Sequence, residues 1–198
     1  MDISRNKITG EIARGDLGKN MRIGDWENCL DSDGNILPKF QSYINDQDLQ
    51  NAKNDKIAEL KAFHESDEVR ILTINNTFKV STNYETSRQY FSELVNKNIN
   101  KVAALNDLQR LQGEEQTHTT DNVIVNWVLN GQSIKVPVTI LRIAQYKVGE
   151  IVDNNYLQFE AHKREIELLT TKTKVKNYNF KKGYLLNNKL NFNKEIQD

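Results

Sequence analysis

Cysteine is nearly absent from this chain, and so are long apolar runs and any net charge. With Cys29 the single thiol among 198 residues, an internal disulfide framework and a multi-cysteine zinc site are both excluded, and a reducing compartment suits the protein. No apolar run approaches the roughly 20 residues that a spanning helix requires, so membrane insertion is not expected. The opening MDISRNKITGEIARGDLG also has no signal-like apolar core. Lys plus Arg and Asp plus Glu each total 27, which leaves no net field to draw the whole molecule to nucleic acid or an anionic surface. The three histidines, His64, His118 and His162, lie far apart, and no HExxH helix, GxSxG elbow or phosphate-cradling glycine loop occurs. The string Asp31-Ser32-Asp33-Gly34-Asn35 fails as an EF-hand, because its glycine is fourth rather than sixth and the twelfth position is Ser42. It reads as a turn. Catalytic, metal and cofactor-binding residues are accordingly not assigned, and an enzyme is not expected.

What is present is 37% hydrophobic content with seven Phe, seven Tyr and two Trp, enough for a globular core, and a unit that occurs twice. VRILTI-NN-TFKVS leads into NYETSRQYFSELVNKNINKVAAL, and NVIVNWVL-NG-QSIKVPV leads into TILRIAQYKVGEIVDNNYLQFEAHKREIELL. Each copy predicts a two-strand hairpin closed by a two-residue turn and followed by a long helix. Asn75-Asn76 and Asn130-Gly131 tolerate the positive φ that tight hairpin turns demand. Thr82 and Glu85 have capping-box spacing at the start of the first helix. Phe91, Val95, Ile99, Val102 and Leu105 share one helical face, as do Ile140, Ala144, Val148, Ile151, Phe159 and Ile166. The predicted fold class is therefore α+β: two hairpin-plus-long-helix units whose strands form one antiparallel sheet packed by the helices, with Trp127 in its core.

Four zones follow. Residues 1–45 read as a small β-rich segment, 46–66 as a connecting helix with a thin apolar stripe, 67–170 as the repeated hairpin-helix domain, and 171–198 as an extension rich in Lys and aromatics. The extension holds seven lysines among Tyr178, Phe180, Tyr184 and Phe192. It is either an extra strand pair on the body or an arm that orders on a partner, and its lysine density favours the arm. Candidate partner-binding residues are Tyr178, Phe180, Lys181, Lys182, Tyr184 and Phe192, joined by Asn155 and His162. Those last two interrupt the apolar stripe of the second long helix, where water or another subunit would meet them. Lys alternating with aromatics also describes a surface that neutralises phosphates and stacks bases, but no nucleic-acid-binding fold signature accompanies it.

Read as a block, TFKVSTNYETSRQYFSELV, then NWVLNGQSIKVPVTILRIAQYKVGEIV, then a helix through FEAHKREIELL resembles a domain family of unknown function found in bacteriophage and prophage tail and tail-fibre assembly proteins. The resemblance runs over about residues 51–170: a hairpin ending at Phe78, a helix start from Thr82 to Arg88, Trp127 before the Asn130-Gly131 turn, and a last helix with the charged end Lys163 to Glu167. It implies a non-enzymatic tail protein that binds a tail-fibre partner as an assembly chaperone in the bacterial host cytoplasm. The alternative it leaves is a structural virion component of the fibre or baseplate involved in host attachment. From another class come a nucleic-acid-binding accessory protein using the basic tail and, without a supporting motif, a glycan-processing tail enzyme. A homo-oligomer is expected.

Overall fold

The computed structural model describes residues 3–15, 26–76, 78–82, 84–129 and 132–192, without the side chains of residues 84–88, 129 and 132. Among the described residues, five helices and eight strands make the chain α+β. It divides into two compact units, one of Met1–Ala58 with Arg164–Tyr178, the other of Glu59–Lys163 with Asn179–Asp198.

In the first unit, β1 (Ile3–Asn6), β2 (Ile12–Arg14) and β3 (Trp26–Asn28) form an antiparallel sheet in the order β2-β1-β3. Asn6 turns the chain after β1 by accepting the amides of Ile8 and Thr9 at 2.8 and 3.0 Å, the local competition with backbone pairing that makes Asn a turn residue. Asp31 does the same further on: its Oδ1 accepts the amides of Asp33 and Asn35 at 2.9 and 2.8 Å. The side chains of Cys29, Phe40 and Ile44 are buried together, with Ile3, Ile12, Ile36 and Leu37 packed around them. Burial, reinforced by the Glu27 carboxylate, pushes the Cys29 thiol up.

The first long helix, α1, runs Pro38–His64 and so starts well before the expected Asp46. Proline at the opening position explains the early start, since its fixed φ is helical and the amide it lacks would have had no helical partner. Its residues through Ala58 belong to the first unit. Within this unit Lys53 Nζ donates to the carbonyl of Glu167 at 2.7 Å. Asp48 pairs with Arg14 and, at 3.2 Å, with Lys172. Burial pushes the Asp48 carboxyl up, but Lys172 and Arg14 outweigh it and hold the group below its usual range. A short helix, here α5 (Lys172–Lys176), is capped by Thr171, whose side chain accepts the Lys174 amide at 3.3 Å, and it buries Val175.

The second unit holds both repeats. A single turn, α2 (Asp67–Arg70), leads to β4 (Ile71–Ile74) and β5 (Phe78–Ser81), then α3 (Tyr84–Leu111), β6 (Ile124–Leu129), β7 (Gln132–Pro137) and α4 (Val138–Leu168, through Lys163 in this unit). The last strand is β8 (Asn188–Leu190). The hairpins do not share the predicted sheet. One sheet has the order β5-β4-β8, and β6-β7 is a separate two-stranded ladder. The second edge of β4 is taken by β8 in parallel register, Leu72 opposite Asn188 and Ile74 opposite Leu190. The hairpins meet instead through their inward faces, where Leu72, Ile74 and Val80 join Val125, Trp127, Ile134 and Val136 in one core. That core also takes Phe91, Val95 and Val102 from α3 and Leu141, Ala144, Val148 and Ile151 from α4. The predicted helical faces are thus the buried ones.

The turns differ in detail. Ile74 pairs with Phe78, so the first hairpin has a three-residue connection rather than two, with Asn75 and Asn76 at φ 47° and 57°. Asn75 has a second task, donating its amide to Leu190 O at 2.9 Å and accepting the Phe192 amide on Oδ1 at 2.9 Å. In the second hairpin Leu129 pairs with Gln132, leaving two residues for the turn; Asn130 and Gly131 lie outside the described residues. The Thr82 hydroxyl is buried and donates back to Arg70 O at 2.9 Å, and the Glu85 side chain lies outside the described residues.

Candidate interaction surface

As far as Phe192, the extension after α5 is packed and not a free arm. Within the second unit it is built into the fold by polar groups of α4, which corrects the expected partner-binding role of Asn155 and His162. Asn155 is buried; its Nδ2 donates to Val69 O at 3.2 Å and Leu185 O at 3.0 Å, and its Oδ1 accepts the Leu185 amide at 2.7 Å. The neighbouring Asn154 donates to Gly183 O at 3.0 Å. Nε2 of buried His162 donates to Lys182 O at 2.8 Å, and its ring stacks on Tyr184 at 5.9 Å and 9°. One primary amide therefore satisfies an extended segment as a neighbouring strand would, which is how a polar residue survives inside an apolar stripe.

The remaining candidates divide. Tyr184 is buried against Phe63 and His162, and burial pushes its phenol well above the ordinary range. Phe180 packs on Phe63 at 5.6 Å, with Lys181 Nζ over the same Phe63 ring at 4.9 Å. Phe192 is half-buried against the main core. The side chains of Lys181 and Lys182 are exposed. In the first unit, half-buried Tyr178 donates its hydroxyl to Glu165; burial first, then that bond, raises its pKa. The aromatic rings that base stacking would need are thus occupied within the fold.

His64 sits beside this region of the second unit, its ring 4.8 Å from Phe159 and 6.0 Å from Tyr184. It borders a cavity of about 30 Å³ with Arg70, Thr82, Asn155 and Tyr156, space for one water-sized group. Burial and the Arg70 charge hold its pKa below the ordinary value of 6.5, against a smaller opposing pull from Glu65 and Glu160. Below pH 6.5 the unfolded chain therefore binds a proton that the folded chain refuses, so stability falls as the pH drops from 6.5 towards the lower folded value. In urea titrations between pH 7.5 and 5, the stability of His64→Phe relative to the parent should rise as the pH falls. A constant difference between the two curves would remove His64 from the account.

Two outward faces of the second unit remain. On β6, alternation buries Val125 and Trp127 and leaves Ile124 and Val128 39% and 57% exposed, while Ser133 and Lys135 of β7 are exposed beside them. On α4, Ile143, Tyr146, Tyr156 and Leu157 are exposed, Tyr146 to 76%. Sequence reasoning missed both sets, because a search for buried stripes discards the positions between them. Large apolar residues among those discarded positions were the available signal. Among the described residues no group of three or more His, Cys, Asp and Glu is placed to hold a metal, and no helix is long and apolar enough to cross a membrane. No protein-family model matches the chain, and no curated protein or solved structure shows significant similarity to it.

Proposed function

We propose that this protein is a non-enzymatic bacteriophage or prophage tail protein that binds a tail-fibre partner, acting as an assembly chaperone in the bacterial host cytoplasm. The observation that supports this reading is the β6-β7 hairpin. It carries the Trp127-turn-strand segment on which the family resemblance rests, it presents Ile124 and Val128 outward, and no third strand is laddered to it among the described residues. A two-stranded ladder with an apolar outer face suits strand addition, in which main-chain bonds give affinity and alternate side chains give selectivity.

The test is co-expression with candidate bacteriophage tail-fibre proteins. Ile124→Lys with Val128→Lys should abolish co-purification while leaving the melting temperature within about 3 °C of the parent, since both side chains already face water. Co-purification undiminished by the double variant would reject this face. Mass spectrometry of purified particles then decides between the chaperone and a virion component: the chaperone is found only with unassembled fibre. The basic-tail reading for nucleic acid is not carried forward, because Phe180 and Tyr184 pack on Phe63 and His162 of their own chain.

A further inference from the structure

We propose that the outer face of α4 is a self-association surface, on which two copies of this chain meet through antiparallel α4 helices. In the register we infer, Tyr146 of each copy lies against Gly149 of the other, and Arg142 of each against Asp153 of the other. Arg142, Tyr146, Gly149 and Asp153 are spaced by four, three and four residues, which sets them in one line along a helix. The opposite side of the same helix carries the buried Leu141, Ala144, Val148 and Ile151.

Gly149 is the first reason to look for a second chain here. Glycine is the poorest helix former after proline, and inside a long helix it usually marks a place where another backbone or side chain approaches closely. Its own fold makes no such demand, because a Cβ built at Gly149 meets no described atom within 4 Å. Three residues away stands Tyr146, a large ring 76% exposed. A hollow of about 540 Å³ lies on one side of that ring, lined by Thr139, Arg142, Ile143 and Gln145. Another, of about 520 Å³, lies on the other side and is lined by Ser92, Gly149, Glu150 and Asp153.

Charge says what fills them. The first hollow carries Arg142 and the second carries Glu150 and Asp153, so the face is basic at one end and acidic at the other. Glu150 also pairs with Lys147 of its own helix at 2.8 Å. An inverted copy of the same face sets basic on acidic twice over, which is the reciprocity a twofold contact requires. The register that opposes Arg142 to Asp153 is also the one that opposes Tyr146 to Gly149. A foreign partner would need only one half of this pattern; a second copy uses both. Parallel helices would bring Arg142 onto Arg142 and are disfavoured.

Sedimentation velocity of the full chain over a concentration series tests this independently of any fibre. The parent should dimerise, and Gly149→Leu, which places a good helix former in open space, should keep its helical content and melting temperature while weakening association at least ~10-fold. Arg142→Glu and Asp153→Arg should each weaken it ~10-fold or more, and the double variant should return to within ~3-fold of the parent. A parent monomeric at about 200 µM, a dimer indifferent to Gly149→Leu, or a double variant no better than either single one would overturn the proposal.

Discussion

Trp127→Ala should destabilise the second unit by about 3–5 kcal/mol, the range for truncating a large aromatic in a packed core. Trp127 is 1% exposed and sits edge-on to Phe91 at 5.8 Å and 78°, so the hole left by the indole is lined by β6, β7 and α3 residues that cannot close it without giving up other contacts. Such a loss is a large share of a typical domain's stability. Trp127→Phe is the informative control. It keeps a ring against Phe91 and removes an indole N–H that has no hydrogen-bond partner among the described residues, so its cost should be far smaller, about 1–2 kcal/mol. Urea denaturation followed by far-UV circular dichroism measures both. An alanine variant within about 0.5 kcal/mol of the parent would mean that the ring is not part of the core.

The second large effect is expected from the extension. Ending the chain after Tyr178 removes β8 from the edge of β4, takes buried Tyr184 from its place beside His162, and leaves Asn155 without the Leu185 amide and carbonyl it serves. Losing a buried aromatic side chain costs about 1.5–3 kcal/mol, and stranding a buried amide adds about 1–3 more. The truncated chain should therefore lose about 2.5–6 kcal/mol, or roughly 5–24 °C of melting temperature in a chain of this size. Asn155→Leu isolates the polar part of this loss: it keeps the branching and heavy-atom count but leaves the Leu185 backbone groups unpaired, and about 2–4 kcal/mol should go. If the truncated chain melts with the parent, the extension is dispensable and the free-arm picture returns.

The contrast between these two sites shows what the residue order reveals. Trp127 was legible because a large aromatic in the middle of a strand is most often core, and the two-residue strand period sets Val125 on its side; the apolar Ile124 and Val128 on the other side blur the alternation. The stripe from Phe91 to Leu105 was legible for the equivalent helical reason. The partner of β4 was not, because parallel pairing with a strand more than a hundred residues away leaves no local mark. Its cross-strand contacts are spread between Leu72-Thr73-Ile74 and Asn188-Lys189-Leu190, and neither stretch signals the other. Asn155 and His162 were noticed but read in the wrong direction, since a polar residue in an apolar stripe is as well satisfied by buried backbone as by water. The exposed line through Tyr146 and Gly149 had no reader at all. Patterns that report burial are silent about which exposed residues another chain would cover.

The double use of Asn75 also bears on how the protein comes into being. The residue shapes the first hairpin connection and then accepts the amide of Phe192, 117 residues further along the chain. At the usual 5–20 residues per second, a ribosome needs roughly 6–23 s to cover that interval. Throughout it β4 has one strand neighbour, and Asn155, once made, waits for its backbone partners. The second unit is thus closed late in synthesis, and the pairing that closes it is of the slow, long-range kind. A stalled or nicked chain lacking residues 179–192 should leave an open, apolar-flanked β4 edge, the kind of surface on which nascent proteins stick to one another.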